Sequence, residues 1–319
     1  MSLLEISDLS VSFGTETGRL QVLNAISLSV AAGETLAVVG ESGSGKSVTA
    51  LSVLQLLGEA GRIDAGQIRF AGEDLTQRSD QDMQAIRGNR ISMIFQEPMS
   101  SLNPVIRVGR QVAEPLVLHQ GLHWADALVE AEHLLRKVAI PDPGARLEEF
   151  PHQLSGGMRQ RIMIAMALAC QPKLIIADEP TTALDVTVQA QILALLKDLT
   201  RETGAALILI THDLGVVARY ADRVAVMYAG RIMESGPAAE VYAAPQHPYT
   251  RGLMASIPAL DGSVTERLPT IEGQPPDLAS PPPGCPFAPR CNLADPQCTQ
   301  APPSLEWISE HHAKACLKT

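Results

Sequence analysis

Basic residues are in short supply. The 319-residue chain has 25 lysines and arginines against 35 aspartates and glutamates, a formal charge of −10. A protein that grips a phosphate backbone over a broad face needs positive charge there, so nucleic acid is not expected as a partner and a soluble cytosolic protein is. Long apolar runs are missing too. The longest, Ile162–Cys170, has nine residues, about half of the roughly 18–20 that a spanning helix needs. Any membrane role therefore has to come through a partner. The opening residues, MSLLEISD, meet acid at Glu5 and have neither a basic lead nor an apolar core, so no secretory signal is read there. Cysteine is scarce in the body of the chain, where Cys170 stands alone, whereas Cys285, Cys291, Cys298 and Cys316 crowd the last 35 positions. In a cytosolic chain that clustering suggests metal before disulfide.

What is present is ordinary globular composition, 45% hydrophobic and 19% charged, which excludes wholesale disorder. The length suits one large domain with an appendage or two small ones. Composition shifts near residue 236, because 15 of the 23 prolines fall between Pro237 and Pro303. Proline removes backbone donors and fixes φ, so the tail is expected to form loops and short helices rather than sheet. Upstream, TLAVVG (Thr35–Gly40), KLIIAD (Lys173–Asp178) and ALILIT (Ala206–Thr211) read as strands buried on both faces. Between the last two, Val188, Ile192, Leu195, Leu196 and Leu199 recur at helical spacing, and Gly204 follows as a stop. Buried strands alternating with helices imply an α/β fold around a parallel sheet. Two helical stretches, near Trp124–Val138 and Met158–Cys170, read as a helical subdomain inserted into that core, within about residues 97–170.

The strongest motif is GESGSGKS, Gly40 to Ser47, which fills the phosphate-loop pattern G-x-x-x-x-G-K-[ST]. It follows the strand Thr35–Val39 and precedes a helix expected over Val48–Leu57, where its mechanism needs it. Gly43 and Gly45 let the backbone curl so that successive N–H groups face the phosphates. Ser42, Ser44 and Val48 complete the expected nucleotide contacts. Lys46 is placed to reach the β- and γ-phosphates, and Ser47 to bind Mg²⁺ through its hydroxyl. A second motif, LIIADEP (Leu174–Pro180), delivers two acids at a strand end. Asp178 is the candidate for the Mg²⁺ shell and Glu179 for polarising a water at the γ-phosphate.

Residues Leu154–Arg161, LSGGMRQR, put Ser155, Gly156 and Gly157 at the opening of a helix and so make a second anion-binding N-terminus. One ATP has no use for two such cradles on one polypeptide, so the second is assigned to the nucleotide of a facing subunit. This arrangement resembles the ATP-binding cassette (ABC) ATPases. Gln96 in IFQEP resembles their Q-loop glutamine, Ala183–Leu184–Asp185 their D-loop, and His212 in LITHD their switch histidine. The resemblance implies a P-loop, ABC-type domain with a mixed or parallel sheet core. Two such domains close head to tail over two ATP molecules, with Glu179 as base, His212 on the γ-phosphate and Gln96 sensing nucleotide and Mg²⁺. Family members stack adenine on an upstream aromatic residue. Phe13 is the sole aromatic residue before Phe70 and is the candidate, with a core strand position as the alternative.

Met158, QEPMSSLNP (Gln96–Pro104), QHPYT (Gln246–Thr250) and CPFAPRC (Cys285–Cys291) narrow the resemblance to ATPases of oligopeptide and dipeptide importers. It implies a cassette over 1–245 and a Pro- and Cys-rich extension over 246–319. It also implies a second ABC ATPase subunit in a heterodimer or homodimer, two transmembrane permeases, an extracytoplasmic solute-binding protein, and a place on the cytoplasmic face of the inner membrane. A soluble, non-transport ABC ATPase is the alternative. The tail cysteines are separated by five, six and seventeen intervening residues, wider than zinc knuckles favour and better suited to a [4Fe–4S] cluster. Related importer ATPases use this cysteine set for iron–sulfur; zinc and free thiols are the alternatives. His311 and His312 are read as solvated, and His119, His123 and His133 as surface residues.

Overall fold

The computed structural model describes residues 2–16, 18–97, 101–181, 184–256 and 270–318. In chain order the strands are β1 (Ser2–Thr15), β2 (Gly18–Ala31), β3 (Thr35–Val39), β4 (Gly61–Phe70), β5 (Glu73–Asp74), β6 (Ile91–Ile94), β7 (Leu174–Asp178), β8 (Ala206–Thr211), β9 (Arg223–Tyr228), β10 (Arg231–Pro237), β11 (Glu306–Trp307) and β12 (Ala313–Lys314). The helices are α1 (Lys46–Val53), α2 (Asp80–Gln84), α3 (Val108–Gln120), α4 (Trp124–Lys137), α5 (Pro143–Arg146), α6 (Gly156–Leu168), α7 (Val186–Thr203), α8 (Leu214–Tyr220), α9 (Ala238–Ala243) and α10 (Pro248–Ala255). No helix among the described residues is long and apolar enough to cross a membrane.

The chain divides into two compact units. One holds Ala31–Glu34 and Arg78–Ile210. Its strands run in the order β8–β7–β6, all parallel, and every residue of β7 is buried, as a strand covered on both faces requires. Helix α7 buries Ile192, Leu193, Leu196 and Leu199. It starts on the Asp185 cap and stops at Gly204, whose φ of 69° supplies the left-handed end anticipated from the sequence. Helices α3, α4 and α6 pack together. Helix α3 carries Pro115 inside it, and that interior proline hides the helix from a pattern reading.

The other unit holds Ser2–Val30, Thr35–Gln77 and Thr211–Thr319. One antiparallel sheet runs β2–β1–β4–β5, and a second group runs β11–β12–β10–β9–β3, with β3 parallel to β9 and the remainder antiparallel. Ala37 and Val39 of β3 share one core with Val224, Val226, Tyr228, Tyr249 and Phe287, against which Cys285 and Cys291 pack. Burying an aliphatic or aromatic side chain of this kind contributes about 1.5–3 kcal/mol, so the cysteine-bearing segment is held by the same core as the strand that feeds the phosphate loop. The expectation of a tail without sheet needs correction. Strand β12 pairs with β10, and β11 with β12. The reason is local: after Pro303 the chain has no proline, so its N–H groups are free to join a ladder.

Candidate functional site

Gly40 to Ser47 leave β3 and enter α1 with Gly45 as the cap, at φ 102°. A side-chain carbon on Gly45 would stand 2.7 Å from Leu23 Cδ2, and one on Gly40 would stand 2.1 Å from the Met227 carbonyl oxygen. Both positions are therefore closed to any larger residue. Lys46 is buried and its ammonium donates to the carbonyls of Gly40 at 2.8 Å and Glu41 at 3.0 Å. Ser44 is buried with its hydroxyl unbonded among the described residues, while Ser42 and Gly43 are exposed and Ser47 and Val48 half-buried. A buried orphan hydroxyl beside a lysine and a helix N-terminus fits a phosphate ligand.

In the other unit, β7 ends on Asp178, which is buried, and Glu179, which is half-buried. Glu179 adopts φ 45°, a left-handed conformation that a non-glycine residue keeps only where surrounding bonds enforce it. Its N–H donates to the Ile210 carbonyl at 3.0 Å, and its carboxylate accepts from Gln96 Nε2 at 3.2 Å. The sequence reading thus named two residues that the fold brings together across 83 positions. Ser155 caps α6 by accepting from the Met158 N–H at 3.3 Å. Carbons added at Gly156 and Gly157 would stand 3.6 Å from Leu184 and 3.1 Å from Val188, so the signature helix lies directly on the start of α7, where Asp185 caps by accepting from the Val188 N–H at 3.0 Å. Ala183 and the Pro98–Ser100 part of QEPMSSLNP lie outside the described residues. His212 is exposed and flanked by tied residues: the Asp213 N–H donates to Thr211 Oγ1 at 3.0 Å and its carboxylate caps α8.

Phe13 is half-buried on β1, opposite Gly61 of β4, and a carbon on Gly61 would stand 3.0 Å from its ring. The ring thus lies against a glycine and stays partly exposed. The four tail cysteines form no disulfide among the described residues and line one small cavity together with His247 and Phe287. Burial pushes the thiols of Cys285 and Cys291 up. The donor set suits a thiolate-bound cluster in kind and number. No group of three or more His, Cys, Asp or Glu side chains among the described residues is spaced to hold a metal ion.

His312 corrects its own expectation: it is buried, with Nε2 2.7 Å from Oε1 of Glu234, itself fully buried on β10. His133 and His123 are exposed as expected. Sequence reasoning also missed Glu41, Tyr249 and Arg290, which meet at the phosphate loop; pairs 208 and 249 positions apart leave no local pattern to find.

The ABC transporter family matches residues 23–182, and the oligopeptide/dipeptide transporter C-terminal region matches 233–298. The chain is 52% identical to the oligopeptide transport ATP-binding protein OppD of Salmonella typhimurium over 316 residues, covering 99% of this chain and 93% of that protein. It is 52% identical to the dipeptide transport ATP-binding protein DppD of Bacillus subtilis over 314 residues, covering 98% and 93%. Among solved structures, the dimeric post-hydrolysis state of the ATP-binding cassette MJ0796 with ADP and Pi aligns at a TM-score of 0.67 and 26% identity, covering 74% of this chain and 98% of that one. CbiO1 of Clostridium perfringens, part of the cbiONQ transporter complex, aligns at 0.65 and 28%, covering 76% and 91%. A soluble, non-transport ATPase is not favoured by these matches. The chain belongs to the ABC transporter ATPases, as an ATP-binding subunit of the oligopeptide/dipeptide importer family.

Proposed function

We propose that this chain hydrolyses ATP to drive peptide uptake through two membrane permeases fed by a solute-binding protein, from the cytoplasmic face of the inner membrane. The relatives named for oligopeptide and dipeptide transport, matched over nearly their full lengths, support that substrate class. Residues 1–245 are assigned to the cassette and 246–319 to the extension; the C-terminal-region match itself begins at residue 233. A second ABC ATPase, distinct or identical, faces the chain.

The backbone N–H groups of Gly40–Ser47 and the Lys46 ammonium bind the β- and γ-phosphates, and Phe13 takes the adenine. Ser47, Asp178 and Gln96 hold Mg²⁺, which when bound neutralises charge on those phosphates. Glu179 accepts a proton from the attacking water at its carboxylate while His212 orients the γ-phosphate. Ser155, Gly156 and Gly157 close on the nucleotide of the facing subunit, with Asp185 at that junction. Catalysis is placement and charge stabilisation. The observation that carries this reading is the strained Glu179, its carboxylate already engaged by Gln96. Cys285, Cys291, Cys298 and Cys316 are assigned to a structural [4Fe–4S] cluster on the chemistry of four thiols at one cavity, and binding it would have to draw the sulfurs in from their present spacing.

The test is Glu179→Gln. It is expected to bind ATP normally, to lose about 10²–10⁴-fold in turnover, and to accumulate as a closed ATP-bound dimer. Brisk turnover by that variant overturns the assignment.

A further inference from the structure

Arg290 ends the 3₁₀ turn Ala288–Arg290 that separates Cys285 from Cys291. Its side chain is 5% exposed. A guanidinium has five N–H donors in a fixed fork, and all five are used. Nε donates to the Glu272 carbonyl at 2.9 Å, and the Nη atoms donate to the Ile271 carbonyl at 3.2 Å, to Tyr228 Oη at 3.1 Å and to both carboxylate oxygens of Glu41 at 2.7 and 3.1 Å. Exposed ion pairs contribute little. This one is buried on the arginine side and bidentate, the geometry that makes such pairs strong and specific.

Glu41 is the second residue of the phosphate loop, and each of its polar groups is committed. The carboxylate is held by Arg290, the N–H donates to Tyr249 Oη at 2.9 Å, and the carbonyl accepts from Lys46 Nζ at 3.0 Å and from the Ser44 N–H at 3.2 Å. Tyr249, from the QHPYT stretch, is fully buried against Tyr228 and Phe287, with ring centroids 4.6 and 5.3 Å away. A continuous set of bonds therefore runs from the turn between two cysteines to the lysine expected to meet the phosphates. Where Glu41 is held decides where the Lys46 ammonium rests, and so what a phosphate must compete with to claim it.

We propose that Arg290 and Tyr249 are positioning residues for the phosphate loop, and that through them ATP affinity follows the integrity of the four-cysteine segment. The proposal rests on the nucleotide reading of the loop and requires no particular occupant of the cysteine cavity.

The experiment measures the dissociation constant of ATP for the full chain by titration calorimetry, well below the unfolding temperature. Arg290→Gln and Glu41→Gln are each expected to weaken ATP by about tenfold, the size of one lost charge-assisted bond. The double variant is expected to be no weaker than the worse single, because both remove one contact. Singles that stay folded and bind within about twofold of the unchanged chain overturn the proposal, as do fully additive losses. Cys285→Ser with Cys291→Ser is expected to weaken ATP in the unchanged background and to add nothing beside Arg290→Gln. Equal losses in both backgrounds, or none in either, sever the link. Iron content is read separately. Iron-free protein with this affinity pattern removes the cluster and keeps the link, and iron-loaded protein with flat affinities does the reverse.

Discussion

Glu234 offers a severe test of how the extension is fastened. Its carboxylate is fully buried and accepts three N–H bonds: from Gln246 at 2.8 Å and His312 at 2.7 Å on one oxygen, and from His247 at 2.8 Å on the other. Glu234→Gln preserves shape but has a single acceptor oxygen. If that oxygen keeps Gln246 and His312, the new NH₂ faces the His247 N–H, donor against donor. One bond to a charged group is lost and one buried N–H is orphaned, a cost of about 3 kcal/mol. Hydrogen exchange with mass spectrometry on peptides covering Gln246 and His247 reads this directly. Their amides should exchange about a hundredfold faster, the free energy above expressed as an opening equilibrium. Exchange within about threefold of the unchanged chain would refute the reasoning that Glu234 holds this corner.

Three further outcomes follow from the geometry. Gly45→Ala must place a carbon 2.7 Å from Leu23 at φ 102°; it should cost about 1–3 kcal/mol in stability and abolish ATP binding, so a variant that binds normally contradicts the loop geometry. Burial lowers the His247 pKa from 6.5 to about 4, helped by Lys314 and Arg251 nearby, so between those values an unfolded chain takes up a proton that the native one refuses. Stability therefore falls as pH drops, by about 2 kcal/mol from pH 7 to 5; His247→Asn, which keeps a cap acceptor, should remove that portion, and an unfolding curve as acid-sensitive as before would contradict it. Protein prepared without oxygen should be brown with absorption near about 400 nm, whereas a colourless sample with one equivalent of zinc would replace the cluster with an ion.

The catalytic motifs were legible because each is local. A phosphate loop, an acid-ended strand and a capped signature helix declare themselves within eight residues, and β7, β8 and α7 lie where the apolar spacing puts them. The N-terminal sheet was not legible. Strand β1 shifts register between Ser7, Ser10 and Val11, which breaks the period of two that would reveal a half-buried strand. The tail hid its anchors for a different reason. Glu234 with His312, and Glu41 with Arg290, lie 78 and 249 positions apart, and a buried polar pair looks like two solvated side chains until the fold joins them. Proline-rich composition anticipated loops and short helices in the tail but wrongly excluded the short ladder that closes β10.

Under the proposed function, nucleotide is clamped between two cassettes and hydrolysis waits on their closure. The most direct measurement is ATPase activity per chain as the purified protein is diluted through its dimerisation range, with size followed in parallel by analytical ultracentrifugation. Activity per chain is expected to collapse as dimers dissociate and to return when a facing cassette is supplied. Activity per chain that stays constant down to pure monomer would contradict it.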